Sequence, residues 1–344
     1  MRKAMVVICG IAMLVVISAC GSSGGSSSSS EAEAGGKEEG SGKTARLAFF
    51  APVPNGFIQA AEEGAEEGAE NAGGKVETSF AANGNLTLQT NQIQDAISSK
   101  KYDGLLIYPL APQIAPAVEE AIAAGLKVGI VENSMAPTEV LQNYEVPGMV
   151  ISSVEPLADR VKGLDEMTVE ACENKEPCEV AYLVGIQQNP IDVAILEGWE
   201  EGLKSDPNIE VVATSQGMYE VDPARSAAQD ILSAHPGVDV FVTNADIMTE
   251  GAELAGEAAG DSEIQYIGVG ASEKGCAAVQ EGKWFGTTNS VPRDSGIAAG
   301  EAVAEAVISG KKAAEPLYDP LKASGLPLSS TKATASECPG QWGF

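Results

Sequence analysis

One histidine, His235, serves a chain of 344 residues. It is followed by Pro236 in a helix-to-strand turn, where a surface role suits it. Any Ser–His–acid machinery would have to rest on this one loop residue, and one histidine with disulfide-suited cysteines does not make a zinc site. No Gly-x-Ser-x-Gly elbow and no Walker loop occurs. Gly268-Val269-Gly270-Ala271-Ser272-Glu273 fails the dinucleotide fingerprint because Glu273 stands where the third glycine belongs. Basic residues are also scarce: 21 Lys and Arg face 49 Asp and Glu, a formal charge of −28. That surface repels phosphate backbones and argues against nucleic acid as a partner. Aromatics make up 5% of the chain against 44% hydrophobic residues overall, so the cores must be built of Ala, Val, Ile and Leu. No catalytic residue, metal or cofactor is expected. Carboxylate pairs such as Glu62-Glu63 and Glu66-Glu67 lie in a helix and read as solvated faces.

What is present begins at the N-terminus. Arg2-Lys3 precede an apolar run, Ala4–Ala19, and then Cys20 and a Gly/Ser tract. This is the layout of an export signal, and the run is short for a full membrane span. Ile17-Ser18-Ala19-Cys20 resembles a bacterial lipobox, which implies a signal peptide over 1–19, cleavage before Cys20 and a lipid on its thiol. The rest of the chain then stands outside the cytoplasm, held at the membrane. Residues 20–43 read as a disordered tether reaching roughly 25 Å. After residue 20 no segment is long and apolar enough to span a bilayer.

Six cysteines occur. Cys9 leaves with the signal and Cys20 carries lipid, so Cys172, Cys178, Cys276 and Cys338 remain, with three possible pairings. Cys172–Cys178 is local and is favoured; Cys276–Cys338 would then tie the tail to the body. Chain entropy assigns about 2 kcal/mol to the first and about 4 kcal/mol to the second.

The body alternates strands and helices. Its clearest stretch is 101–133, where the apolar run Leu105–Tyr108, a helix with Ala115, Val118, Ala121 and Ile122 inward, and the strand Val128–Val131 form a βαβ unit. A weaker copy occupies 238–272, which suggests two lobes of like fold. Residues 134–155 lose any period and read as the exit from the first lobe. Trp284–Ser290 reads as a strand, Gly296–Ser309 as a helix returning to the first lobe, and 311–344 as turn-rich. In open α/β sheets ligands bind beyond the carboxyl ends of the strands. There this chain carries amides, carboxylates and rings: Asn55, Phe57, Tyr108, Glu132, Asn133, Gln187, Asn189, Asp192, Tyr219, Asn244, Asp246, Asn289 and Ser290. Each also suits a turn or a helix cap, and Trp199 and Trp284 suit a core.

Together with the signal-and-tether layout, the segments YDGLLIYP, AVEEAIAAGLKVGIVEN, LSAHPGVDVFVTNAD and YIGVGAS resemble the periplasmic sugar-binding proteins of the ribose/galactose type, over residues 44 to about 325. The resemblance implies an α/β fold of two Rossmann-like lobes with parallel sheets, joined by three hinge crossings near 150–156, 289–293 and 318–324. It divides the chain into 44–150 plus 293–320 and 151–292 plus 321–344. It also implies a monomeric substrate-binding protein, not an enzyme, that closes on a sugar, cyclitol or similar small ligand and delivers it to an ABC permease. A ligand-presenting sensor subunit and a secreted α/β enzyme are the alternatives. Asn55 and Phe57 match a ligand-binding Asn and a stacking Phe, Tyr219 stands at another stacking position, and Asn244 matches a second Asn. Glu132-Asn133 replaces an Asp-Arg pair, and Val193, beside Asp192, replaces a second Arg. Gly270 replaces an Asp and Ser290 a Gln. With both arginines gone, the ligand need not be ribose.

Overall fold

The computed structural model describes residues 44–81, 84–136, 143 and 146–344. The expected signal peptide, Cys20 and the tether lie outside the described residues. Along the chain, β1 (Ala45–Ala51), α1 (Gly56–Asn71), β2 (Gly74–Phe80), α2 (Leu86–Ser99), β3 (Gly104–Ile107), α3 (Ala115–Ala123), β4 (Lys127–Val131) and β5 (Ile151–Ser153) come first. Then follow α4 (Leu157–Ala171), β6 (Cys178–Val184), α5 (Pro190–Leu203), β7 (Ile209–Gln216), α6 (Val221–Ala234), β8 (Val240–Thr243), α7 (Asp246–Ala259), β9 (Gln265–Val269) and α8 (Glu273–Glu281). The last elements are β10 (Gly286–Thr288), α9 (Pro292–Ser309), β11 (Leu317–Tyr318), α10 (Pro320–Ser324) and β12 (Ser329–Thr331).

Among the described residues the strands form two sheets of six, in the orders β11-β5-β4-β3-β1-β2 and β12-β10-β9-β8-β6-β7. Every pairing is parallel except β10 with β12. The central strands are short and wholly apolar because helices cover both faces: Leu105, Leu106 and Ile107 of β3, and Val240, Phe241 and Val242 of β8, are fully buried. The unit over 101–133 thus forms the middle of the first sheet, and its later copy the middle of the second.

The chain passes between the sheets three times: after β5, after β10, and between β11 and β12. Ile151–Ser153 pairs with β4, so the first sheet extends three residues past the boundary that the sequence suggested at 150. β5 is three residues long, too short to show a period, and the chain leaves the first sheet directly after it. The strand expected over Trp284–Ser290 is confined to Gly286–Thr288; Trp284 precedes it in the core, 1% exposed, and Asn289 and Ser290 belong to the crossing. Helix α9 returns to the first sheet by packing tightly on α1. A Cβ built at Gly64 would lie 2.0 Å from the Arg293 carbonyl oxygen, and one at Gly296 would lie 2.0 Å from that of Ala61. Only hydrogen at those positions lets the two backbones meet.

Both favoured cysteine pairs are joined: Cys172–Cys178 closes the loop before β6, and Cys276–Cys338 fastens the C-terminal segment to α8. Among the described residues no helix is long and apolar enough to cross a membrane.

Candidate ligand-binding cleft

Loops leaving the carboxyl ends of both sheets enclose a cavity of about 220 Å³. Of the thirteen strand-end residues singled out from the sequence, and Gly270, nine line it: Asn55, Phe57, Tyr108 and Asn133 from the first lobe, and Asn189, Asp192, Tyr219, Asn244 and Gly270 from the second. Glu132, Gln187, Asp246, Asn289 and Ser290 do not. Glu132 is buried at the end of β4, and the Ser290 hydroxyl points into a crossing, where it donates to Glu155 Oε2 at 2.9 Å. The strand-end rule places residues near a cleft without fixing which way each side chain turns.

Several lining side chains are held by their neighbours. Asn55 Oδ1 caps α1 by accepting from the Ile58 amide at 2.9 Å, so its NH2 group is what it can offer a ligand. Asn133 Nδ2 donates to the Pro109 carbonyl at 3.0 Å, leaving Oδ1 as acceptor. Buried Gln89 fixes the Tyr108 turn, donating to the Tyr108 carbonyl at 2.7 Å and accepting from the Leu110 amide at 3.0 Å. On the other side, Asp192 accepts from the Tyr219 hydroxyl at 2.5 Å and from the Ile186 amide at 2.7 Å. Burial raises the Asp192 carboxyl, and the Tyr219 bond works against that rise. Asp246, at the next strand end, is a structural acid: it accepts from Ser272 and Thr287.

Two buried donor atoms on the wall make no hydrogen bond among the described residues. Asn244 accepts from the buried Tyr182 hydroxyl through Oδ1, but its Nδ2 is buried without a hydrogen bond, near Asp192 and Tyr219 yet outside bonding geometry. Arg160, from α4, lines the cavity and pairs with Glu155 at 3.6 Å while its Nε stays unpartnered. Beneath them, neither carboxylate oxygen of Glu132 makes a hydrogen bond among the described residues. Its carboxyl is pushed up to about 8, first by burial and then by the charge of Glu155. Burial likewise holds the Tyr108 and Tyr219 hydroxyls far above their ordinary range, so both remain donors.

Backbone strain concentrates here. Of the five non-glycine residues with left-handed backbones among those described, Glu132, Met218, Tyr219 and Ala271 stand at strand ends bordering the cleft. Each costs about 1–3 kcal/mol and persists only where its surroundings impose it. A second cavity of about 330 Å³ lies among the crossings. None of its lining residues among those described is aromatic, and its Asn289 donates to the Pro327 carbonyl and accepts from the Ser330 hydroxyl.

Among the residues at or beside this cleft that sequence reasoning did not single out, Arg160, Glu155 and Trp342 matter most for its chemistry. The first two sit in and just before a helix that carries no motif. Trp342 stands in the turn-rich tail, and a lone tryptophan beside Phe344 in an aromatic-poor chain was its one visible signal.

A parallel α/β pair of lobes, crossed three times and enclosing a polar and aromatic cavity between strand ends, defines a two-lobed solute-binding protein. The chain belongs to the periplasmic binding protein family: the model of that domain matches residues 48–312. This family is one of extracytoplasmic binding proteins, not of enzymes. The ribose import binding protein of Bacillus subtilis is 27% identical over 271 residues, covering 78% of this chain and 83% of that one. The xylitol-binding protein of Mycolicibacterium smegmatis is 25% identical over 243 residues, covering 69% of this chain and 65% of its own length. Among solved structures, a solute-binding protein of a Bacillus halodurans ABC transporter with bound myo-inositol superposes with a TM-score of 0.74 at 19% identity, covering 88% of this chain and 99% of that one. A D-allose-bound counterpart from Actinobacillus succinogenes gives 0.72 at 18%, covering 85% and 99%. The type I fold expected from the sequence is the fold of the chain.

Proposed function

We propose that the chain is the substrate-binding subunit of an ABC transporter, anchored outside the cytoplasm by a lipid on Cys20. In this reading it binds a sugar, a sugar alcohol or a cyclitol as a monomer. The observation that carries the ligand class is the pair of unpartnered donors, Asn244 Nδ2 and Arg160 Nε, on the wall of a cavity otherwise rich in rings. A buried donor left unsatisfied costs about 1–3 kcal/mol, and a polyhydroxylated ligand relieves that cost with its oxygens while presenting C–H faces to Phe57 and Tyr108. Arg160 also supplies a guanidinium from neither of the positions, Asn133 and Val193, where the family resemblance places one. The relatives named for ribose, xylitol and myo-inositol support the same class.

The mechanism is lobe closure. Residues 44–150 plus 293–320 and 151–292 plus 321–344, with Ile151–Ser153 moved to the first group, act as the two bodies. Ligand shifts the open–closed balance because it touches both bodies only when they are closed. Two assays test this reading. Cells deleted for the gene should lose uptake of the cognate radiolabelled sugar or polyol and regain it on complementation. Labelled fatty acid should enter the wild-type protein but not Cys20→Ala. Undiminished uptake in the deletion strain contradicts the transport role, and an unlabelled wild-type protein contradicts the anchor.

A further inference from the structure

The family match ends at residue 312, yet the chain beyond it returns to the cleft. Trp342, 6% exposed, lines the cavity. Its Nε1–H donates to the Gly270 carbonyl at 2.6 Å, and its ring meets Phe57 edge-on, with centroids 5.4 Å apart. The tail is fixed on both sides. Trp342 accepts from the Glu273 amide of the second lobe at 2.8 Å through its carbonyl. Gln341 accepts from the Arg293 amide at 3.1 Å and donates to Asp294 at 2.9 Å, both on α9 of the first lobe. Just upstream, Cys338 is bonded to Cys276. The cleft makes room for this segment. A Cβ at Gly56 would fall 1.8 Å from the Gly343 carbonyl oxygen, and one at Gly270 would fall 3.0 Å from the indole.

We propose that Trp342 contacts the ligand and sets specificity, the C-terminal tail supplying an aromatic wall to a cavity built otherwise from the two lobes. The ligand class rests on the function proposed above. A wall differs from a plug in two respects visible here. With the ring in place about 220 Å³ remains open, and the only polar atom of the indole is already bonded, so the ring presents π surface to whatever enters. A pinned ring of this kind favours a compact polyol with a C–H face and restricts the length of the ligand.

The test is calorimetric titration of wild type, Trp342→Ala and Trp342→Phe with D-ribose, xylitol, myo-inositol and D-allose. Glycine betaine and L-serine serve as non-sugar probes, and circular dichroism and melting are followed in parallel. Trp342→Ala should weaken binding roughly tenfold or more, as truncation of a buried aromatic anchor does, whereas Phe should retain most of the affinity. Trp199 and Trp284 lie in the core of the second lobe, so a change of tryptophan emission on binding should appear in wild type and vanish in Trp342→Phe. That readout decides the matter should the Ala variant fold poorly. Equal affinity of Ala variant and wild type overturns the proposal, and tighter binding by the Ala variant overturns it in favour of a plug. A wild type that takes only a non-sugar probe defeats the sugar reading alone, because the ratio between variant and wild type still judges Trp342.

Discussion

The Glu155 carboxylate accepts from the Ser290 hydroxyl at 2.9 Å and, through its other oxygen, from the Val291 amide at 3.1 Å. One side chain in the first crossing thereby holds the second. Asn289 continues the connection, donating to the Pro327 carbonyl at 3.0 Å in the third crossing. The three connections between the lobes are thus tied side to side by buried polar bonds. Glu155→Ala leaves Ser290, Val291 and Arg160 without their acceptor. It should destabilise the fold by about 3–5 kcal/mol, the cost of stranding buried polar and charged partners, while Glu155→Gln should cost less. Denaturant midpoints measure this, and an unchanged midpoint for the Ala variant contradicts the role.

Glu132 makes stability depend on pH. Its carboxyl is raised from 4.5 to about 8 in the folded chain, so the native state keeps a proton that the unfolded state has released. Stability is therefore fullest below about pH 4.5 and declines as pH rises towards 8, by at most about 1.4 kcal/mol per pH unit from this group. Glu155, raised by burial, acts in the same direction. Melting temperatures between pH 5 and 8 should fall more steeply for wild type than for Glu132→Gln. Superimposable profiles would exclude Glu132 as the source.

Gly185 governs the Tyr219 ring from behind. A Cβ there would lie 2.2 Å from the ring, so Gly185→Ala must displace Tyr219 and its bond to Asp192. Ligand affinity should drop about tenfold or more in Gly185→Ala and in Tyr219→Ala alike, with the circular dichroism spectrum of both retained. Wild-type affinity in either variant removes Tyr219 from the site.

The Cys276–Cys338 bond closes a span of 62 residues and anchors the tail. Replacing both cysteines by Ser should lower stability by about 4 kcal/mol on chain entropy. The Cys172–Cys178 loop spans only 6 residues, and its removal should cost about half as much. Equal losses for the two double variants would show that loop length does not set the difference.

Much of this was legible because central strands of a covered sheet announce themselves. Leu105–Ile107 and Val240–Thr243 are apolar at every position, or nearly so, and bounded by Asp-Gly or Asn signals, so the two βαβ units and the strand-end residues followed. What stayed hidden depends on contacts between distant segments. Arg160 looks like any exposed helix residue until Tyr108 and Glu132, carried by another sheet, are laid over it. Glu132 and Ser290 sit at the right strand ends, but only packing shows that one turns under the floor and the other into a crossing. β5 has three residues and β11 two, too short for any period. Trp342 reaches the cleft through a disulfide and a turn-rich segment that no periodicity describes.

The most direct test of the account is a thermal-shift and calorimetric screen of the purified protein against pentoses, hexoses, sugar alcohols, inositols and non-sugar metabolites. A cognate ligand at one hundred times its Kd should stabilise the fold by about 2.7 kcal/mol. Saturable one-to-one binding of a sugar, sugar alcohol or cyclitol is expected, abolished or strongly weakened in Asn244→Ala and Arg160→Ala. A shift produced only by a non-sugar metabolite, or a sugar bound with undiminished affinity by both variants, would contradict it.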